Sequence, residues 1–475
     1  MAYQVPHNID HNKVFLVNFS ELDGRLEPEY YRPSLYSLEK KIRSLSSKKL
    51  SDYAISIAGG ATPAKTEYNK YYSDSKSGIP FLRVQNLHTN GELSLNDCVY
   101  INENTHNGLL KRSQVAGGDL LVKITGVGRM AVASVAPKDF VGNTNQHMVV
   151  IKTGDAGLSK YLARYLNLDI VEKIASRHST GGTRPALDYP SLKNIPIIEG
   201  IDFSLIDEAL KTKETKEIEA QELLYSIDDY LLNILGIKLP KSNSQTLRDR
   251  MFVVSYNGIS GCRLDVEYNN PYKHGAITEV LKSGMYSTAL LSSLAKDIFQ
   301  GVGKDETEDS TYVLLKVKNI LRGNMIDYSD VEFVKSVPQN KLLLRDDIIS
   351  PFIGEAVRQI KFSIFNQEEH KYSVDNNTGV IRLKESVNAQ YVCEYLCSCL
   401  GKMQIERLIG GGGVPFLGSS GAKKLIIVVP PLQKQQIIVD HISAIRQQAK
   451  ALQEEGNAIL EEAKKEVESM IIGNK

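Results

Sequence analysis

At 475 residues the chain is long enough for more than one domain. Its 57 Lys and Arg against 56 Asp and Glu give a formal charge of +1, so no global field marks an acidic partner; residues 60–200 carry only a mild local excess, 16 basic against 12 acidic. The five cysteines make no even disulfide framework, residues 1–13 lack the apolar core of a signal peptide, and no run of 18 apolar residues offers a membrane span, so a soluble, cytoplasmic protein is expected.

Lys13-Val14-Phe15-Leu16-Val17-Asn18-Phe19 alternates and reads as a short strand. Arg25-Leu26-Glu27-Pro28-Glu29-Tyr30-Tyr31-Arg32-Pro33 follows, and Leu35, Leu38, Ile42 and Leu45 have helical spacing. Gly59-Gly60-Ala61-Thr62-Pro63 opens a turn-rich stretch. The run from Ile79 to Leu87 reads as a strand with Leu82 and Val84 on one face and Arg83 and Gln85 on the other. Gly118-Asp119 turns into a strand from Leu120 to Ile124, and Met148 to Ile151 is another. Residues 158–175 read as an amphipathic helix carrying Leu162, Tyr165, Leu166 and Ile170. The loop Ser179-Thr180-Gly181-Gly182-Thr183-Arg184-Pro185 then leads to a closing strand, Ile195 to Ile198.

The same order recurs. Arg250 to Tyr256 matches Lys13 to Phe19 at an offset of 237, and Arg263-Leu264-Asp265-Val266-Glu267-Tyr268-Asn269-Asn270-Pro271 matches Arg25 to Pro33 at 238. Leu315 to Ile320 matches Leu82 to Leu87, Asp347 matches Asp119, and Asn377 to Lys384 matches Asn145 to Lys152. Tyr391, Tyr395, Gly411, Gly412 and Pro415 match Tyr161, Tyr165, Gly181, Gly182 and Pro185 at 230. An offset this large lies outside solenoid periods of roughly 20–50 residues, so a whole domain is duplicated. Framework positions agree while most others differ, which suggests two related but distinct recognition tasks.

Each repeat ends in a long apolar stripe: Phe203, Ile206, Leu210, Ala220, Leu224, Ile227, Leu231 and Ile234, with polar Lys213 and Glu217 in it, then Ile438, Ile442, Ile445, Ala449, Leu452, Gly456, Ile459, Ala463 and Met470 after Pro430-Pro431. The stripes need each other, and connectivity makes the helices antiparallel. The expected fold class is α+β: two mixed α/β domains joined by two long antiparallel helices in a coiled coil, a pseudo-two-fold tandem repeat. The expected boundaries are 1–200 for the first domain, 201–236 for its helix, 237–429 for the second domain and 430–475 for the last helix. About 30 helical residues span roughly 45 Å, against the 34–36 Å between half-sites on one face of DNA. A coiled-coil spacer with no DNA role has the same geometry.

The tandem Arg-Leu-acid-x-Glu-Tyr-x-x-Pro segments, Gly59 to Pro63, Ile79 to Val84, Gly118 to Leu121 and the helix entry Val429 to Gln436 together resemble the specificity subunit of Type I restriction-modification systems, over essentially the whole chain. The resemblance implies a phage-defence assembly in which two target-recognition domains each read one half of a split DNA sequence. It implies helices that act as a ruler and dock two DNA adenine methyltransferase subunits, a translocating nuclease subunit that can join, and no catalysis by this chain. It also implies that the chain binds no cofactor and that S-adenosylmethionine belongs to the methyltransferase partner. The second repeat departs from the pattern at Gly301-Val302-Gly303, which lacks the Thr-Pro of the first.

Base readout needs Arg or Lys for guanine and Asn or Gln for adenine, while Ser, Thr and glycine-rich backbone suit phosphate. The candidate DNA contacts in the first repeat are Thr62, Lys65, Arg83, Gln85, Lys123, Asn143, Asn145, Gln146, His147, Thr180, Gly181, Gly182, Thr183 and Arg184. In the second they are Lys316, Lys318, Asn376, Asn377, Gly411 and Gly412. Gly126-Val127-Gly128 is too short for a dinucleotide fingerprint, and no Gly-Lys-Ser/Thr follows the glycines at 410–413. Asn269-Asn270-Pro271-Tyr272 looks like a methyltransferase motif but occupies the slot of Tyr31 to Ser34, so it reads as scaffold. Cys393, Cys397 and Cys399 lack a fourth ligand and read as core. No catalytic constellation or metal site is evident. Two other readings remain: a self-contained DNA methyltransferase or nuclease, with activity from the chain alone, and a tandem protein-interaction scaffold, with no sequence-selective DNA retention.

Overall fold

In the computed structural model residues 13–19 do not form the expected strand. They run through turns into a 3-10 turn at Phe19–Glu21 and leave Leu16 60% and Phe19 90% exposed. An alternating pattern makes a strand only where a neighbouring edge takes its backbone groups. The structure describes residues 8–239, 251–253, 263–266, 268–282, 285–303, 307, 311–367, 369–410 and 413–473. The second copy of this segment lies mostly outside them. The chain divides into two compact units, Met1–Thr215 with Glu455–Lys475, and Lys216–Glu454. Among the described residues no helix is long and apolar enough to cross a membrane.

In the first unit α1 (Pro33–Leu45) begins on a proline, whose missing N–H costs nothing in a first turn. Then come β1 (Ser56–Gly59), α2 (Tyr68–Tyr71), β2 (Tyr72–Ser73), β3 (Ile79–Leu82), β4 (Val99–Ile101), α3 (Glu103–Asn107) and β5 (Gln114–Ala116). β6 (Leu120–Lys123), β7 (Ala133–Val135), β8 (Val141–Thr144) and β9 (Met148–Lys152) complete the strands. One sheet has the order β1-β9-β6-β7; the other is β2-β4-β3-β8-β5, with β3 and β8 parallel. Period-two alternation sends Leu120, Val122, Val149 and Ile151 into one core and Leu121, Met148 and Val150 into another.

Two expected elements come out shorter. β3 stops at Leu82 because the Asn86 side chain accepts the Arg83 N–H at 2.8 Å and closes a 3-10 turn. The helix expected over 158–175 is two, α4 (Ala156–Leu166) and α5 (Asp169–His178). The break is Asn167, whose side-chain amide pairs with Ala133 like a strand residue, accepting from its N–H at 3.1 Å and donating to its carbonyl at 2.7 Å. After α6 (Tyr189–Lys193), the expected strand at 195–198 is a single bridge between Lys49 and Pro196. α7 (Ser204–Leu235) follows.

The second unit contains α8 (Pro271–Leu281), β10 (Ser287–Leu290), α9 (Leu291–Leu294), β11 (Ala295–Gln300), β12 (Tyr312–Leu315), β13 (Ile320–Leu321), β14 (Met325–Ile326) and β15 (Glu332–Val334). It continues through β16 (Ile348–Pro351), β17 (Ser363–Ile364), β18 (Lys371–Val374), β19 (Thr378–Leu383), α10 (Ala389–Cys397), α11 (Cys399–Leu408), α12 (Gly418–Ala422), β20 (Ile426–Val429) and α13 (Leu432–Ile472). Its sheets β11-β19-β16-β17 and β15-β12-β18, with β12 and β18 parallel, repeat the plan of the first unit. Asn270 caps α8 by accepting from Tyr272 and Lys273 ahead of Pro271, so Asn269 to Tyr272 is a helix start. Cys393 is buried in this core, and Cys397 and Cys399 are half-buried beside it.

α7 and α13 pack together, antiparallel. In the first unit Phe203, Ile206 and Ala209 share a core with Leu460, Ala463 and Val467. In the second, Ile227, Leu231 and Leu235 pack with Ile438, Val439, Ile442 and Ile445, and Tyr230 lies 4.0 Å from His441. Lys213, a long side chain in the stripe, faces Gly456, where an added Cβ would come 3.2 Å from the Lys213 Cα. Each long helix also caps a shorter one. Glu468 accepts from the Asp169 and Ile170 N–H groups at the start of α5, and Asp228 accepts from Cys399 N at 2.8 Å at the start of α11.

Candidate nucleic-acid interface

Four loops of the first unit are tied into one surface. The loop after β1 lies flat against 144–145, and a Cβ on Gly60 would overlap the Thr144 and Asn145 carbonyl oxygens. Only glycine permits that approach. From there the Thr62 hydroxyl donates to the Gln146 side chain. In the loop 145–147 the buried Asn145 side chain accepts from His147 N at 3.1 Å, leaving Gln146 exposed. The loop 180–186 is closed by reciprocal bonds between Thr180 and Ala186, 2.9 and 2.8 Å, which leave Gly181 to Arg184 exposed at its tip. Arg184 donates to His147 Nε2 at 2.9 Å. Burial and the charge of Arg184 hold the His147 pKa below its ordinary value, so the ring accepts as neutral imidazole. The fourth loop, 124–129, joins through Leu187 N to Ile124 O at 2.8 Å and Gly126 N to Pro185 O at 3.0 Å.

The second unit builds the same platform with other side chains. A Cβ on Gly301 would overlap the Val374 and Asp375 carbonyl oxygens, as at Gly60. The glycine is therefore what the repeats share here, and the Thr-Pro that follows it in the first repeat is absent from the second. Asp375, rather than the Asn377 expected from the sequence match, takes the place of Asn145: Gly59 pairs with Val149 and Gln300 with Gly379, so the strands correspond two residues away from that match, and Asn376 and Asn377 are exposed as Gln146 is. Gly410 and Phe416 exchange backbone bonds of 2.9 Å, and Gly354 N donates to Pro415 O at 2.8 Å. Gly411 and Gly412 lie outside the described residues.

Several candidate contacts have other roles. Asn143 is fully buried, with its side chain bonded to His106 and donating to Leu110 O at 2.8 Å; it braces β8 and presents nothing to a ligand. Lys123 is 4% exposed, and its ammonium donates to Val127 O at 2.7 Å, shaping the 124–129 loop. Its pKa is lowered by burial. Arg83 is half-buried and donates to Asp97 O at 2.9 Å, while Gln85 on the same turn is exposed. Lys316, its counterpart, pairs with Glu332, and Lys318 pairs with Asp330 at 2.6 Å on the surface. Thr62, Gln146, His147 and Arg184 are the predicted residues that the fold brings into mutual contact; Lys65 and Thr180 to Thr183 are exposed in the same loops.

The shared Arg-Leu-acid motif supports this surface from behind. Arg25 donates to the His178 and Ser179 carbonyls at 3.2 and 3.1 Å, at the end of α5 where the 180–186 loop begins. Arg263 donates to the Leu408 and Ile409 carbonyls at 3.1 and 3.0 Å, before the 410–416 loop. In each unit a tyrosine sits between two guanidiniums: Tyr30 between Arg25 and Arg177, at 4.4 and 4.3 Å, and Tyr268 between Arg263 and Arg407, at 4.5 and 4.2 Å. The motif thus fastens to the end of α5 or α11. Arg177 and Arg407 are the members that sequence reasoning missed; their own match at offset 230 was the available signal.

Residues 304–462 match the family model of the Type I restriction modification DNA specificity domain. Solved structures similar to this chain include one from a study of complex assembly and conformational transition in the type I R-M system, 13% identical, covering 89% of this chain and 95% of that one, TM-score 0.44. Another is the Type-I restriction-modification S subunit from M. genitalium, 12% identical, covering 88% and 95%, TM-score 0.35. A third is the HsdS subunit from Thermoanaerobacter tengcongensis, 12% identical, covering 90% and 96%, TM-score 0.32. A search of curated proteins finds no match.

Proposed function

We propose that this chain is the DNA sequence-specificity subunit of a type I restriction-modification complex. Each repeat reads one half of a bipartite target, the long helices set the spacer and dock methyltransferase subunits, and the chain itself is not catalytic. The observation that carries the reading is the platform built twice: the same glycine approach, loop closure and arginine staple, presenting Gln146, His147 and Arg184 in one copy and Asn376 and Asn377 in the other. The specificity-domain match over 304–462 supports it for the second repeat. A constant frame with variable polar side chains is what readout of two different base sequences requires.

In this reading double-stranded DNA is the ligand, an adenine methyltransferase is the partner that holds S-adenosylmethionine, and a translocating nuclease subunit is a further partner. The test is adenine methylation in cells carrying this chain and its methyltransferase. A split motif, two short sequences separated by a fixed unread spacer, is expected; a continuous motif, or methyl transfer by the purified chain alone, overturns the reading.

A further inference from the structure

The loop after Thr62 carries a feature that the second repeat lacks. Between Gly60 and Leu82 the first repeat is eight residues longer than the second, the offset falling from 241 at Gly60/Gly301 to 233 at Leu82/Leu315. The longer stretch holds Tyr68, Tyr71 and Tyr72 with Lys65, Lys70 and Lys76; residues 301–311 hold no aromatic side chain. Tyr68 and Tyr72 stack face to face, centroids 4.8 Å apart and planes 11° apart. Tyr72 is fixed: it is buried, its hydroxyl donates to Pro63 O at 2.8 Å, and its ring meets Phe81 edge-on at 6.4 Å. Tyr68 rests on this support and is 53% exposed, so its outer face is open.

We propose that the outer face of Tyr68 is a stacking site for an unstacked nucleobase of the bound DNA. This rests on the reading of the first repeat as a DNA interface. A parallel aromatic stack that ends in an open face accepts one more flat π-system, and a nucleobase is the one that DNA supplies. Bases within an intact duplex are already stacked on both sides, so the ligand is a base that has left the helix, as happens when an enzyme extrudes a nucleotide. The position suits this. Pro63, which anchors Tyr72, directly follows Thr62, which touches Gln146. Lys65 is exposed three residues before Tyr68, where it can meet the accompanying phosphate. The nearby carboxylate, Glu67, is held by Lys70 at 2.8 Å.

The experiment uses the full chain and two single strands of about twelve nucleotides, one of mixed sequence containing 2-aminopurine and one of the same length made of abasic nucleotides. Wild-type chain is expected to quench the 2-aminopurine and to bind the base-bearing strand about tenfold more tightly than the abasic strand. Tyr68→Ala should lose about tenfold on the base-bearing strand and nothing on the abasic strand, and Tyr68→Phe should behave as wild type. Equal loss on both strands, no loss on either, or no binding by the wild type overturns the proposal. The functional reading is tested separately, by the split methylation motif in cells carrying the wild-type chain and its methyltransferase.

Discussion

Arg25 makes two carbonyl bonds and one ring contact at once, which only a planar guanidinium can do. Arg25→Lys should therefore lower the stability of the first unit by about 1–2 kcal/mol in denaturant titration, and Arg263→Lys should do the same to the second. The repeats differ one step deeper. Glu39 is buried between Arg177, Arg43 and His178, and Ile277 occupies its place in the second copy. Burial raises the Glu39 pKa, but the hydrogen bond and charge of His178, the bond from Arg43 and the charge of Arg177 outweigh it and bring it down to about 2 from 4.5. A depressed carboxylate pKa means that its contribution is complete above about pH 4.5 and is lost as pH falls toward 2. Melting temperature followed over that window should drop less steeply in Glu39→Gln than in wild type. His147 follows the same sign nearer neutrality: as pH falls below the ordinary histidine value, protonation sets its ring against Arg184 and frees that guanidinium from the contact.

At the scale of elements, the loops depend on close approach more than on their own sequence. Under the proposed function, Gly60→Ala and Gly301→Ala should each cost at least tenfold in DNA affinity, measured with the methyltransferase partner present, because an added Cβ displaces the loop from the backbone it lies against. The sequence made α1, β6, β9 and the two long helices legible, since their apolar spacing matches the face they bury. It misled where a single side chain ended an element: Asn86 stops β3 and Asn167 splits the helix after β9, each through a bond to a backbone group that no local pattern announces. The candidate interface was legible as loops and only partly as residues. Asn143 and Lys123 have the right chemistry for DNA, but one braces a strand and the other closes a loop. The Arg–Tyr–Arg staples were unreadable locally because Arg25 reaches carbonyls more than 150 residues away.

Across the whole molecule the duplicated plan makes specificity modular under the proposed function. Replacing residues 1–200 with the corresponding region of another specificity subunit should change one half of the methylated motif and leave the other; a change in both halves would show that the repeats do not read independently. Deleting four residues, about one helical turn, from both α7 and α13 should change the unread spacer, and an unchanged spacer would remove the ruler role. Glu468 and Asp228 belong to this scale too, since each cap should contribute about 1 kcal/mol to a helix remote in sequence.

The cap by Glu468 also sets a timetable. On the ribosome the first repeat emerges hundreds of residues before Leu460, Ala463, Val467 and Glu468, yet these residues complete its core and close the start of α5. The nascent first repeat must wait, with that apolar face uncovered, until residues 455–473 have emerged. A stop codon placed after residue 454 should therefore leave the second unit protease-resistant and make the first unit the fragment that is degraded.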